Sequence, residues 1–308
     1  MKAIQIHEYG NSNTLKLEEV PRRSISGDQI LVRVHDAGVN PVDWKIRLGY
    51  RKEAIPAFFP LTMGQDFAGE VAECGKAVNR FRIGDRVFGF AQGTYAEYVA
   101  APESTAAAMP QSVDFVTAAA LPTPGLTALQ IIRDVVCARS GMTVLIHGAA
   151  GGVGSLAVQI AKSFGAKVIG TASDEDIEYL KSLNADEVID YKRERFEDRA
   201  HAVDAVIDLV GGETLARSYS VLKKSGVLVS TVQPIDELAA KTAGIRAMHL
   251  VMRPNAADLA ELAALVEKST LRLRVAQIIP LSEARKAQEL SESRQDAWKG
   301  DFERGLMS

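Results

Sequence analysis

Thr143-Val144-Leu145-Ile146-His147-Gly148-Ala149-Ala150-Gly151-Gly152-Val153-Gly154 is the stretch that decides the fold. The apolar run Val144-Leu145-Ile146 feeds a glycine-rich turn. The turn feeds Ser155 to Lys162, whose apolar residues recur at helical spacing. Strand, tight turn and helix in this order open a dinucleotide-binding βαβ unit. Gly151 then lets the backbone approach a pyrophosphate, and Gly154 lets the helix pack close to the strand. Free N–H groups at the helix start face the phosphates. Ala149, Ala150, Gly151, Gly152, Val153 and Gly154 are therefore the candidate cofactor cradle. The match to the fingerprint is imperfect. Ala149 stands where the first glycine is usual, with Gly148 just before it, and glycine turns also serve chains that merely need positive φ. A second strand-like run at the right distance, Lys167 to Thr171, supports the nucleotide reading.

Working outward, 308 residues suffice for two domains with two cores. The chain is 47% apolar and 24% charged, as soluble globular proteins are. Its net charge of −3 offers no basic field for nucleic acid. It holds no apolar run long enough to span a membrane and no signal-peptide core at its start, so a cytoplasmic protein is expected. Cys74 and Cys137 read as free core thiols in a reducing compartment rather than a disulfide.

Residues 1 to about 120 alternate apolar and polar over short runs such as 2–6, 29–34, 69–73 and 96–99, the pattern of a compact β-barrel. From about Leu121 helix and strand alternate. Helix 123–133 precedes strand 143–147, helix 152–164, strand 167–171, helix 175–183 and strand 187–190. Strand 205–209, helix 213–222, strand 226–231, strand 245–252 and helix 256–267 follow. This spacing predicts a doubly wound parallel sheet. A strand at 271–279 and an amphipathic helix at 282–291 are expected to return to the first domain. The α/β chain thus divides into a β-rich domain, 1–121 and 268–308, and a nucleotide domain, 122–267, with ligands expected between them.

The end of the second strand selects the cofactor. An acid there holds the ribose hydroxyls of NAD. This strand ends Gly170-Thr171-Ala172-Ser173, with no acid before Asp174. A small hydroxyl-bearing end leaves room for a 2′-phosphate, with Thr171 and Ser173 lining it, so NADP is expected. Asp174, Glu175 and Asp176 oppose a phosphate unless they serve the N-terminus of the next helix. Tyr191, and less so Lys192 and Arg193, are candidates to meet the phosphate. Leu209, Val210 and Ser230 sit at or after the ends of the later strands and complete the cofactor set.

The segments Ala37-Gly38-Val39-Asn40-Pro41-Val42-Asp43, Gly64-Gln65-Asp66-Phe67-Ala68-Gly69, Gly84-Asp85-Arg86-Val87, Gly93-Thr94-Tyr95-Ala96-Glu97-Tyr98, Gly125-Leu126-Thr127-Ala128 and 147–154 follow one another along nearly the whole chain. Together they resemble the zinc-independent, quinone-oxidoreductase branch of the medium-chain dehydrogenase/reductases. The resemblance implies a GroES-like catalytic domain, an inserted Rossmann domain, NADPH-dependent reduction and a homodimer. It also implies that Asn40 floors the active site and that Thr127 contacts the cofactor near the nicotinamide. Zinc-dependent relatives carry a cysteine where Asn40 stands and Gly-His-Glu where Gly64-Gln65-Asp66 stands. The five histidines are scattered, so no metal site is expected. Without a metal, quinones and polarised C=C bonds are the acceptors to expect.

Asp43 reads as a loop-holding or helix-capping acid beside Asn40, and Tyr50 as the nearest phenol able to donate a proton. Two other uses of the same fold stay open: an alcohol or aldehyde oxidoreductase, and a non-catalytic NADPH-binding protein. Substrate choice is expected to lie in loops 44–62, 90–95 and 234–255. Relatives end on a β-branched strand, whereas residues 298–308 here are not strand-like, so the last catalytic-domain strand is expected to be missing or replaced. The strand near 245–252 is expected to pair between two subunits.

Overall fold

The computed structural model describes residues 1–293, apart from Ile55 and Ala57, together with the backbone of Gly305–Met307. The chain forms two units. One comprises Met1–Thr123, Pro254–Lys268 and Leu273–Ser308, the other Pro124–Arg253 and Ser269–Arg272.

The first unit opens with β1 (Lys2–Ile6), β2 (Lys16–Glu19), β3 (Gln29–Gly38), α1 (Pro41–Arg47), β4 (Leu61–Thr62) and β5 (Asp66–Cys74). It continues with β6 (Arg86–Phe90), β7 (Tyr98–Pro102), β8 (Ala106–Ala108) and α2 (Phe115–Ala119). β1 pairs antiparallel with β2 on one side and β4 on the other. β3, β5, β6 and β8 form an antiparallel run, with β7 also laid against β3. The period-2 pattern explains the core. Ile30, Val32, Val99 and Ala101 point inward with Phe67, Val71 and Val87, while Ile4 and Ile6 join Ile46, Met63 and Tyr95 in a second cluster.

The second unit opens within α3 (Pro122–Leu129) and runs on through a π-helical segment, Gln130–Val136. It carries β9 (Thr143–His147), α4 (Gly152–Ser163), β10 (Lys167–Ala172), α5 (Ile177–Ser182), β11 (Glu187–Asp190), β12 (Val203–Asp208), α6 (Gly212–Ser218), β13 (Leu222–Ser230), α7 (Glu237–Ala243) and β14 (Arg246–His249). Every pairing in this sheet is parallel. The strands lie in the order β11-β10-β9-β12-β13-β14. Counted from β9, this is the dinucleotide-binding order, and the direction of winding reverses between β9 and β12. The apolar runs of β9 and β12 are buried on both faces, as a sheet covered by helices requires.

The remaining elements are α8 (Ala256–Glu267), β15 (Gln277–Ile279), α9 (Ala284–Glu292) and β16 (Gly305–Met307). Four differ from expectation. α8 lies in the first unit, packed on β8, rather than in the span 122–267. Helix α7 was not foreseen. Asp236 caps it by accepting from Ala239 N–H, and Gly244 closes it at φ +67°. The strand expected over 271–279 shrinks to Gln277–Ile279. Gln159 takes up the backbone of Arg272 from both sides, accepting from its N–H at 2.8 Å and donating to its carbonyl at 3.0 Å. A ladder cannot use the same groups. The tail is also not without a strand: Gly305–Met307 pairs parallel with β15 and antiparallel with β3 at Ala37–Gly38. The rest of the span 298–308 lies outside the described residues.

Gln130 repeats the Gln159 device. It donates to the Arg253 carbonyl at 2.7 Å and accepts from the Arg253 N–H at 3.0 Å. The two glutamines therefore pin the points where the chain leaves the nucleotide unit and passes through it again. Gln159→Leu leaves the Arg272 N–H and carbonyl without partners. The urea midpoint is expected to fall by the equivalent of about 1–3 kcal/mol, with an unchanged m-value.

Candidate functional site

In the nucleotide unit the glycine turn is built by close approach. A Cβ on Gly154 would sit 2.2 Å from the Gly148 carbonyl oxygen, so helix α4 can start this close to the turn only with glycine there. Gly148 lies at φ +68°, the left-handed region. The alanine in the first fingerprint position is accommodated from the neighbouring strand. A Cβ on Gly170 would lie 2.9 Å from the Ala149 methyl, so glycine on β10 makes room for Ala149. Gly170 carries no signal in the motif itself. Ala149 N–H donates to the Thr171 carbonyl at 3.1 Å, and Gly151 N–H to the Gly148 carbonyl at 3.0 Å. Gly151 is the N-cap of α4, whose first turn holds Gly152, Val153 and Gly154.

Beneath the turn, buried His147 sets a chain of hydrogen bonds. Ser218 Oγ donates to the Thr214 carbonyl at 2.7 Å and so accepts from His147 Nε2 at 3.2 Å. His147 Nδ1 is then free to accept from Thr171 Oγ1 at 3.2 Å, and that oxygen accepts in turn from Gly148 N–H at 3.4 Å. Burial, with Arg217 adding to it, pushes His147 down to about 3, so the ring is neutral. Thr171 and Ser230 are thus turned into the protein. The Thr171 hydroxyl holds His147 and the turn, and the Ser230 hydroxyl donates to buried Asp208 at 2.8 Å. Leu209 and Val210 flank the turn: a Cβ on Gly148 would lie 3.6 Å from Leu209 Cβ and 3.4 Å from Val210 Cγ2. Ser173 is buried at the end of β10, Thr127 is buried in α3, and Tyr191 is exposed. The acid feared for a phosphate, Asp174, is paired with Arg193 at 3.0 Å.

In the first unit a buried polar cluster surrounds the start of α1. Asn40 is its N-cap residue, and its N–H donates to Asp43 Oδ2 at 2.7 Å. Its side-chain Nδ2 donates to Asp66 Oδ2 at 2.8 Å. Tyr95 donates its hydroxyl to Asp43 at 2.8 Å. Asp66 also accepts from Thr123 N–H at 2.9 Å and Thr123 Oγ1 at 2.6 Å. Gly38 permits this. A Cβ there would lie 2.5 Å from the Ala119 carbonyl oxygen and 3.0 Å from Asp66 Cβ. Burial pushes both carboxyls up to about 7, opposed in Asp66 by the Thr123 and Asn40 hydrogen bonds and in Asp43 by those from Asn40 and Tyr95.

The structure therefore joins Asn40 to Asp43 as the sequence suggests. It leaves Tyr50 outside the cluster, 72% exposed and edge-on to Trp44. It adds Asp66, Tyr95 and Thr123, which sequence reasoning passed over. The available signal was the lone acid of Gly64-Gln65-Asp66, heading an otherwise apolar run, Phe67-Ala68. The cysteines are a correction. Both are free, but neither is a core residue: Cys137 is exposed at φ +52° after the π-helical segment, and Cys74 is half-buried.

The alcohol dehydrogenase GroES-like domain model matches residues 26–111, and a zinc-binding dehydrogenase model matches residues 183–298. A quinone oxidoreductase of Rattus norvegicus is 35% identical over 79% of this chain and 78% of its own length. The chain belongs to the zinc-independent quinone-oxidoreductase family of medium-chain dehydrogenase/reductases. A 2-methylene-furan-3-one reductase of Solanum lycopersicum is 41% identical over 76% of this chain and 63% of its own. The crystal structure of Escherichia coli quinone oxidoreductase complexed with NADPH superposes with a TM-score of 0.89 at 28% identity, covering 100% of this chain and 99% of that one. Among the described residues no group of three or more His, Cys, Asp or Glu is placed to hold a metal ion. Asn40 and Asp66, from the two segments that hold ligands in zinc-dependent relatives, are hydrogen-bonded to each other.

The raised carboxyls make stability depend on pH. A carboxyl whose folded value lies above its unfolded value of 3.8 binds its proton more tightly when folded. Its contribution is then complete below that value and is lost as pH rises through about 7. Asp43→Asn keeps an acceptor for Asn40 and Tyr95 and cannot titrate. Its melting temperature is expected to fall less between pH 4.5 and 8 than that of the parent, measured by calorimetry.

Proposed function

We propose that this protein is an NADPH-dependent reductase of quinones and α,β-unsaturated carbonyls that works without zinc. One observation carries the reading. Where zinc-dependent relatives place metal ligands, this chain has a buried amide–carboxylate hydrogen bond, Asn40 Nδ2 to Asp66 Oδ2 at 2.8 Å. An amide can orient a carbonyl but is a poor Lewis acid. The acceptor must then carry its own activation, as a quinone or a conjugated C=C bond does. The names of the relatives, a quinone oxidoreductase and a reductase of a methylene-furanone, point to the same two classes.

NADPH, when bound, supplies the hydride. The turn 148–154 offers the N–H groups of α4's first turn to the pyrophosphate, with Leu209 and Val210 beside it. Ser173 and Tyr191 lie at the carboxyl end of β10 and just after β11, where a 2′-phosphate would be met. Arg193, paired with Asp174 at 3.0 Å and Asp190 at 3.5 Å, lessens the repulsion that Asp174 would exert on a phosphate. The NADPH complex of the Escherichia coli relative supports this cofactor. On the substrate side Asn40 keeps one amide hydrogen beyond the one given to Asp66 and can donate it to an acceptor oxygen. Thr127 fits a place near the nicotinamide, by the family resemblance. Tyr50, exposed after α1, is a candidate to orient or protonate the reduced product from the loop side.

The protein is further inferred to be a cytoplasmic homodimer. Free cysteines fit a reducing compartment, and among the described residues no helix is long and apolar enough to cross a membrane. β14 ends the parallel sheet with one side unpaired among the described residues, and exposed Met248 lies on it, so a second copy can extend the ladder.

Four measurements test these readings. A thermal-shift titration is expected to show NADPH stabilising the protein at concentrations at least tenfold below NADH. Gly154→Ala, which drives a methyl into the Gly148 carbonyl, is expected to weaken NADPH binding at least tenfold. A panel of 1,2- and 1,4-quinones and enones is expected to give NADPH oxidation that chelators leave unchanged. No turnover on any acceptor, or zinc found by elemental analysis, would overturn the reading. Light scattering is expected to give twice the 33.2 kDa chain mass.

A further inference from the structure

Asn40 donates through Nδ2 to Asp66, and Asp66 is held from the other side by both donors of Thr123. An ionised carboxylate can only accept. While Asp66 is charged, the Asn40 carboxamide must turn its NH2 toward Asp66 and its carbonyl oxygen away. A protonated Asp66 has a hydrogen to give, and Asn40 Oδ1 can take it, so either face of the amide is then satisfied. The capping box brings Asp43 N–H near the Asn40 side chain, but that N–H makes its hydrogen bond to the Asn40 main-chain carbonyl at 2.9 Å. We propose that Asp66 is a positioning residue whose charge holds Asn40 Nδ2 in place, so that its second N–H is the one that meets the reacting acceptor. This deepens the proposed reductase and rests on Asn40 meeting the substrate.

The groups facing Asp66 are few. α1 contributes Asp43, which stands against it in charge, and the turn after β6 contributes Tyr95. The residues opposite it on β3 and β6 are Gly38 and Phe90, and α2 is Phe-Val-Thr-Ala-Ala, none of them charged. Of the two cations of α1, Arg47 is committed to Gly10, Gln288 and Glu292, and Lys45 lies over the Trp44 ring. No cation on these elements fixes Asp66 in its charged form, and burial pushes it up to about 7, within the working range of an enzyme. Thr123 pulls the other way by bonding to the charged form.

The test reads both kinetics and the amide itself. In the wild type, kcat for quinone reduction is expected to fall on the acid side with a midpoint near the Asp66 titration, while the Kd for NADPH stays within twofold. The two Asn40 side-chain amide resonances, assigned by their loss in Asn40→Asp, are expected to move with the same midpoint. Thr123→Val removes a donor to the carboxylate, so both midpoints are expected to shift to higher pH. Asp66→Asn is expected to keep the fold and NADPH binding, to lower kcat at least tenfold and to abolish the acid limb. Asn40 amide resonances that do not titrate in the wild type would overturn the proposal, as would unmoved midpoints in Thr123→Val. So would an Asp66→Asn enzyme with kcat within twofold of wild type and the limb intact. A wild type inactive on every quinone and enone would instead sink the reductase reading, and the amide resonances would still decide whether Asp66 sets Asn40.

Discussion

The hydrogen bond from Asn40 Nδ2 to Asp66 Oδ2 is the constraint on which the catalytic unit is built. It ties the N-cap of α1 to the first residue of β5, and Asp66 reaches on to Thr123, the last residue of the unit's first segment. Burying two carboxylates is costly. The structure offsets the cost with five donors: Asn40 N–H and Tyr95 hydroxyl on Asp43, and Asn40 Nδ2 with Thr123 N–H and hydroxyl on Asp66. An arrangement this specific has few alternatives. Gly38 and Gly64 are fixed by it as well. A Cβ on Gly38 would strike the Ala119 carbonyl and crowd Asp66, and one on Gly64 would lie 2.2 Å from the Tyr95 ring.

The nucleotide unit solves a different problem with the same economy. Its cradle consists of backbone, so its precision comes from how closely elements approach. Gly154 against Gly148, and Gly170 against Ala149, set that approach. The side chains around it mostly face inward. Thr171 and Ser230 look like cofactor donors when read by position at a strand end, yet they stabilise His147 and Asp208 instead. Gly148 and Gly211 both take positive φ, which lets the chain turn sharply after β9 and β12.

Much of this was legible because periodicity reports burial directly. The alternation of 29–34 places Ile30 and Val32 inside, and the helix–strand rhythm after residue 121 yields the parallel sheet almost element by element. What escaped was set by partners far away in sequence. β15 is shortened by Gln159, 113 residues away from Arg272, and nothing in Leu271–Ile279 itself reveals that its backbone is already engaged. Asp66 escaped for a related reason. An acid heading a strand reads as an exposed residue until Asn40 and Thr123 are brought to it across 26 and 57 residues. Tyr50 misled in the opposite way: nearness in sequence to Asn40 and Asp43 did not bring it into their network, because α1 and the turn after it carry it out to solvent.

The two departures from family pattern have different physical standing. Ala149 in place of glycine is a closed matter of packing: Gly170 gives up its side chain and the methyl fits. The replacement of metal ligands by Asn40 and the Gln65–Asp66 pair changes chemistry. A metal ion polarises any carbonyl placed on it, whereas an amide held by a carboxylate offers one directed hydrogen bond of modest strength. The burden of activation moves from the protein to the acceptor. In the proposed reductase, conjugated acceptors are selected by electronics as much as by shape, which makes the cofactor easier to assign than the substrate: phosphates are recognised by backbone geometry, and quinones and enones mainly by how readily they take a hydride.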